Sequence, residues 1–353
     1  MDETERSFLE RLLSTATPSG FETAGQKTWL EYVEPHADEV RVDDYGNAVA
    51  VYEGASDTPA VALGGHGDEI GMMVRDVTDD GFLKLTRIGG SDRTVSRGQR
   101  VRIHTADGPV AGVIGQVAIH LRDQGDEEYD DIDEQHVDVG AEDEAEARQM
   151  VDIGDPVTFD TTVTELAGGL LSARGMDNRV GIWTAAEAFR RAVEAAPDTT
   201  IYAVSTVQEE VGLKGAQMVG FDLDPDAFVA IDVTHATDTP DAPNKGSGVE
   251  LGAGPVVARG SANHPVLVET VRGVAADEGI DVQLQASGSR TGTDADAVYT
   301  SRGGIPSLNL GLPNRYMHTP TEVIDPADLT AAADLLGSVA VRADEFAPFA
   351  VDI

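Results

Sequence analysis

Residues 199–215 read T-T-I-Y-A-V-S-T-V-Q-E-E-V-G-L-K-G. The segment 200–207 is uncharged, rich in β-branched and aromatic residues and too short for an isolated helix, which predicts a buried strand. It runs into two adjacent carboxylates, Glu209 and Glu210. In open α/β sheets, ligands bind in the crevice outside the carboxyl ends of the strands, so this pair stands where such a site lies. One carboxylate of such a pair can hold a metal while the other moves a proton. The pair alone has little weight: with 63 Asp plus Glu in 353 residues, about ten adjacent acidic pairs arise by chance.

Two other apolar strands end in the same way. Residues 59–65 (P-A-V-A-L-G-G) lead into His66-Gly67-Asp68, and residues 227–231 (A-F-V-A-I) lead into Asp232. Three strand ends therefore bring an imidazole and several carboxylates to one rim. Imidazole and carboxylate suit Zn²⁺ or a similar divalent ion, and the chain has no Cys to offer a softer ligand.

The formal charge is -38, with 25 Lys plus Arg against 63 acids spread along the whole chain. Nucleic acid and anionic membrane are excluded as expected partners. Self-repulsion of this size opposes a compact state unless salt screens it, and at molar salt the Debye length falls to about 3 Å. The composition thus predicts a salt-rich cytoplasm, as in an extreme halophile. The start, Met1-Asp2-Glu3, has no basic n-region, and no long apolar run follows anywhere, so a cytoplasmic protein with no membrane segment is expected.

Helical spacing of Phe8, Leu9, Leu12 and Leu13 predicts a helix over 3–15, and a second is expected over 24–33. Residues 40–42 and 47–52 flank D-D-Y-G and predict a hairpin. From 72 to about 165 the pattern changes to short alternating runs (F-L-K-L-T-R-I, V-R-I-H-T, V-A-G-V-I-G-Q-V-A-I-H-L, P-V-T-F-D) broken by Gly, Asp and Pro. That pattern predicts a small β-rich domain inserted into the first. Within it, the acidic stretch 122–136 is expected to be a loop, either mobile or simply solvated. Asp177-Asn178 opens a predicted helix, so Asp177 reads either as a helix cap or as something more. Beyond it come a helix over 264–278, strands over 282–286, 297–300 and 307–310, and a last helix over 326–342. Pro306 and Pro313 place His318 in a loop at the sheet rim.

Taken together, H-G-D at 66–68, M-D-N-R-V-G at 176–181, Q-E-E-V-G at 208–212, I-D-V-T-H at 231–235, G-T-D-A at 292–295 and Y-M-H-T-P at 316–320 resemble the M42 metallo-aminopeptidases, also called tetrahedral or TET aminopeptidases. The resemblance spans nearly the whole chain. It implies a mixed-sheet α/β catalytic domain of the zinc-peptidase type (1–70 and 166–353), interrupted by a β-rich dimerisation domain (71–165). It further implies two divalent ions per subunit, most simply Zn²⁺ with Co²⁺ or Mn²⁺ as alternatives, and a homo-oligomer of twelve subunits built from dimers. Carried over, His66 and Asp232 bind one metal, Glu210 and His318 the other, and Asp177 bridges them. Glu209 is then the general base, and Asp68 orients His66.

His235, three residues past Asp232, reads as a cleft residue or as a structural contact. Thr293 and Asp294 read as cleft or turn residues. The expected activity is removal of N-terminal residues from short peptides. The alternatives are a metal-dependent deacylase or carboxypeptidase, a metal-free glycan hydrolase, or a non-catalytic assembly or metal-buffering protein.

Overall fold

A computed structural model describes residues 1–55, 59–122, 129–240, 242 and 248–353. Asp2 and Glu5 cap each other's amides at 2.8 Å, a capping box that starts α1 (Glu3–Ser14) and sets Phe8, Leu9, Leu12 and Leu13 on one buried face. In α2 (Thr23–Val33) Trp29 is buried and its indole N–H donates to the Ile182 carbonyl. The hairpin of β1 (Glu39–Val42) and β2 (Ala48–Tyr52) turns around Asp43, whose carboxylate accepts the amides of Tyr45, Gly46 and Asn47. Next comes β3 (Ala60–His66), buried along its whole length.

The chain then leaves the main sheet to build a closed barrel from β4 (Gly71–Val77), β5 (Leu83–Ile88), β6 (Arg100–Thr105), β7 (Gly108–Ile114), β8 (His136–Asp138) and β9 (Pro156–Phe159). Two short helices decorate it, α3 (Arg93–Ser96) and α4 (Glu144–Met150). Met72, Leu83, Leu85, Ile103, Val137 and Val157 fill its own core, and closure leaves no free strand edge. The apolar run that suggested a longer strand stops at Ile114, and Val117, Ile119 and Leu121 beyond it are exposed. Of the acidic stretch, residues 123–128 lie outside the described residues. Past them Ile132 is buried, and Asp130 and Asp131 pair with Arg97 and Arg93.

After the barrel, β10 (Thr164–Glu165) and β11 (Leu171–Ala173) form a small sheet with β17 (Glu322–Ile324). The central helix α5 (Met176–Glu194) follows, then β12 (Thr200–Thr206), α6 (Lys214–Asp222), β13 (Ala227–His235) and β14 (Val256–Gly260). The remainder comprises α7 (Pro265–Glu278), β15 (Gln283–Ser287), α8 (Ala295–Val298), β16 (Ser307–Asn314), α9 (Pro326–Val341) and α10 (Ala343–Phe346). The main sheet has eight strands in the order β1-β2-β12-β3-β13-β16-β14-β15, with β12, β3, β13 and β16 mutually parallel. Side chains alternate across it: Val61 and Leu63 face the core under α1, α5 and α9, while Ala62 joins α6 and α8 on the other face. No helix among the described residues is long and apolar enough to cross a membrane.

Three expectations are corrected. In place of the strand expected over 297–300, helix α8 runs to Val298 and a turn follows at Tyr299 and Thr300; the helix starts at the Thr293 and Asp294 turn. Strand β13 does not stop at Ile231 but continues to His235, so Asp232 lies inside it. Pro313 is likewise within β16 rather than after it.

A buried ion cluster ties the link between β3 and β4 to α5. Glu69 accepts from Arg174 and Arg179 and from the Thr17 amide, and Arg179 is 0 % exposed. Burial raises the Glu69 carboxyl, but the two guanidiniums overcome it and bring it down to about 2 from 4.5. Because the folded value is the lower one, this group stabilises the fold above pH 4.5 and that contribution is lost as pH falls toward 2. Glu69→Ala is expected to destabilise the chain by about 3–5 kcal/mol, since it strands two buried cations. Denaturant titration in molar KCl checks this.

Candidate active site

The parallel register brings the predicted residues to one level. His66 pairs with Thr206, and two residues beyond the last pair of β3 and β13, Gly64 with Ala230, come His66 and Asp232. The loop after β12 then supplies Glu209 and Glu210. Its four successive amides are all held by side chains: Val207 N donates to Asn47 Oδ1 (3.0 Å), Gln208 N to Glu22 Oε1 (3.1 Å), Glu209 N to Asp68 Oδ1 (3.0 Å) and Glu210 N to Asp68 Oδ2 (3.2 Å). Gln208 needs this support because its φ is +55°, a left-handed conformation that non-glycine residues rarely hold. Asp68 therefore does two things at once. It fixes the acidic pair, and it stands 3.3 Å from Nδ1 of His66.

Asp177 comes from the first turn of α5, where it and Asn178 depart from helical dihedrals. Its carboxylate does not cap the helix. Asn178 does that, accepting the Gly181 amide at 3.1 Å while its NH₂ donates to the Ile231 carbonyl of β13 at 2.7 Å. The Asp177 amide donates to Glu322 at 2.9 Å, and Glu322 also takes the Asn314 side chain at 2.9 Å. Held from both strands, Asp177 presents Oδ1 to His66 Nε2 at 3.2 Å and Oδ2 to His318 Nε2 at 3.3 Å. His66 Nε2 also lies 3.6 Å from Asp232 Oδ1 and 3.8 Å from Glu209 Oε2. His318 Nε2 lies 3.5 Å from Glu210 Oε1. Residues from 66 to 318 thus converge within a few ångströms.

The electrostatics of this cluster call for positive charge. Burial works against protonation of His66, but Glu209, Asp232 and Asp177 overcome it and hold the imidazole well above its ordinary value. Hydrogen bonding to Asp177 and Glu210 raises His318 to about 11. Glu209 is pushed up by burial, with Asp232, Asp294 and Glu210 adding to the effect and His66 opposing it. Glu210 Oε1 is buried, with the His318 imidazole at 3.5 Å as its cationic neighbour. Donor atoms of His66, Glu209 and Asp232, and of His66, Asp177 and Glu210, lie within 4.8 Å of one another. An oxygen and nitrogen donor set this dense and this rich in carboxylates fits divalent metal ions.

The remaining sequence candidates are not among these donor groups. His235 is exposed at the end of β13, outside the donor cluster. Thr293 is buried and accepts the Ala295 amide at the start of α8. Asp294 is buried and accepts the Thr206 hydroxyl at 2.5 Å, behind the cluster. Sequence reasoning missed Glu322, Asn178, Glu22 and Asn47, which hold the site residues in place. Only their side-chain partners reveal them.

Fold and cluster define a mixed-sheet α/β hydrolase with a candidate metal centre at the carboxyl ends of its parallel strands. Residues 46–335 match the family model described as M42 glutamyl aminopeptidase. The chain is 34% identical to the lysyl aminopeptidase of Pyrococcus furiosus over 91% of this chain and 92% of that one. It superposes on a TET aminopeptidase from a marine sediment archaeon of the Thaumarchaeota with a TM-score of 0.93 at 30% identity, covering 99% of both. The TET1 peptidase of Pyrococcus horikoshii, which can assemble into a tetrahedron or a large octahedral shell, gives a TM-score of 0.85 at 28% identity over 95% of this chain and 99% of that one. The chain belongs to the M42 aminopeptidase family and is a hydrolase acting on the N-termini of peptides.

Proposed function

We propose that this chain is a salt-adapted, two-cation aminopeptidase that clears single residues from short peptides. The observation that carries the reading is the arrangement of Asp177, whose two oxygens face two different imidazoles at 3.2 and 3.3 Å. In this reading His66 and Asp232 hold one cation, Glu210 and His318 the other, and Asp177 is shared. Zn²⁺ is the expected ion, with Co²⁺ or Mn²⁺ able to replace it. When bound, such a pair supplies Lewis acidity to a carbonyl oxygen and lowers the pKa of water toward neutrality.

The side chains do the rest. Glu209 accepts the proton of the attacking water and returns it to the leaving amine. Burial and the neighbouring carboxylates raise its proton affinity, and the positive charge of His66 opposes them. Asp68 keeps Glu209 and Glu210 in register through their amides and orients His66, the usual second partner of a ligating imidazole.

Residues 1–70 and 166–353 form the catalytic part in this proposal, and 71–165 an inserted domain through which subunits pair before twelve assemble. Support comes from the closed barrel within that segment and from the shells formed by the Pyrococcus horikoshii relative. The cytoplasm of an extreme halophile is the setting that the charge of -38 favours.

The test is a set of peptides in molar KCl, each with a free and an acetylated N-terminus, assayed after chelation and after each metal is added back. Cleavage confined to free N-termini, lost on chelation and restored by Zn²⁺ or Co²⁺, is expected. Preference for the acetylated form points to a deacylase, release from the other end points to a carboxypeptidase, and activity that survives chelation removes the metal from the account.

A further inference from the structure

The two imidazoles of the cluster are backed differently. Behind His66 Nδ1 stands Asp68, with its carbonyl oxygen at 3.1 Å and its carboxylate at 3.3 Å. What stands against Nδ1 of His318 is the bare backbone of Gly90, a residue of the barrel. A Cβ built on Gly90 falls 2.8 Å from His318 Nδ1 and 2.9 Å from Cε1, roughly 0.6 Å or more inside van der Waals contact. At the preceding Gly89 a Cβ falls 3.2 Å from Glu210 Cβ and 3.0 Å from Ile70 Cγ2. The same turn therefore abuts both residues read as holding the second cation.

This turn is itself clamped. Ser91, buried beside it, donates its hydroxyl to the Gly71 carbonyl at 2.6 Å, and Gly71 pairs with Ile88 where β4 meets β5. Gly71 follows the link that leaves His66, so the start of β4 and the end of β5 are locked together beside the site. His318, by contrast, sits on a loop whose Tyr316 and His318 both have positive φ, +62° and +63°. A side chain on such a loop takes its position from what packs against it.

We infer that the turn at Gly89 and Gly90 is a positioning surface for His318 and Glu210, so that a piece of the barrel belongs to the cation site. The inference rests on the reading of those two residues as cation ligands. Gly90 matters because no larger residue leaves the imidazole its place facing Asp177 and Glu210. Displacing an outer support of a metal ligand typically weakens the metal by 10–100-fold.

Gly90→Ala adds one methyl and, unlike a change at Gly89 with its φ of +65°, adds no backbone strain. The control is Gly115→Ala on the same barrel, where a Cβ meets nothing within 4 Å. With the full chain in molar KCl, Zn²⁺ and Co²⁺ titrations of Gly90→Ala should show one of two equivalents weakened by about 10–100-fold. The other equivalent, and both in Gly115→Ala, should stay at the wild-type affinity. Unchanged affinity for both equivalents in Gly90→Ala overturns the inference. Wild-type protein that takes up fewer than two equivalents refutes the two-cation reading instead, and a metal-free measurement then decides this one. In chelator, the loss of melting temperature or of folding caused by Gly90→Ala should vanish in a His318→Ala background. A loss of the same size in that background places the clash elsewhere and overturns the inference.

Discussion

Glu209→Gln is expected to reduce turnover by about 10²–10⁴-fold, the usual loss when a general base is removed, with both cation equivalents retained. The substitution keeps shape and volume, and the Glu209 amide remains anchored on Asp68 at 3.0 Å, so the loop has no reason to move. What disappears is the ability to accept a proton. The geometry makes the result informative, because Glu209 Oε2 lies 3.8 Å from His66 Nε2 and belongs to a donor group with His66 and Asp232. A ligand and a base therefore predict different outcomes. Loss of one cation along with activity identifies Glu209 as a ligand, and turnover within about threefold of wild type removes it from the chemistry.

Transfer from molar KCl to dilute buffer is expected to unfold the chain or dissociate its assembly. The charge of -38 is spread along the sequence, and single Arg residues already serve several acids each, as where Arg190 and Arg191 pair with Glu5, Glu187, Glu194 and Asp334. With 63 acids against 25 Lys plus Arg, most of the negative charge has no cation of the chain to balance it. At molar salt each is screened beyond about 3 Å, whereas at 0.01 M the screening length is about 30 Å and repulsion acts across the whole molecule. Melting temperature and light scattering across a KCl series read the effect. A melting temperature that holds from molar to millimolar KCl contradicts salt adaptation and leaves the acidic composition unexplained.

Much of this could be read from the residues because a parallel sheet has a simple logic. Uncharged runs at 59–65, 200–207 and 227–231 mark buried strands, and polar residues at their carboxyl ends mark the crevice. The spacing of His66, Glu209, Glu210 and Asp232 was therefore legible before any coordinates. What failed was local propensity overruled by tertiary context. Residues 297–300 (A-V-Y-T) look like a strand by composition, yet Ala295–Val298 form a helix packed beside α6. β13 runs on to His235 because β16 pairs with it as far as Asn314, a partner no single strand reveals.

The supports of the site were the least legible part. Glu322 is one acid among 63, and nothing in its neighbourhood says that it holds the Asp177 amide. Asn178 sits beside Asp177 in a motif where the carboxylate draws the eye, although the amide is the helix cap. Gly89 and Gly90 read as turn residues at the end of a β-run. Their closeness to Glu210 and His318 joins positions more than a hundred residues apart, and only the folded chain shows it.

Anomalous diffraction from crystals grown in molar salt and loaded with Zn²⁺ tests the shared role of Asp177 most directly. Two peaks per subunit are predicted, both in contact with the Asp177 carboxylate, one on the His66 and Asp232 side and one on the Glu210 and His318 side. A single peak, or two peaks of which either fails to touch Asp177, contradicts the account.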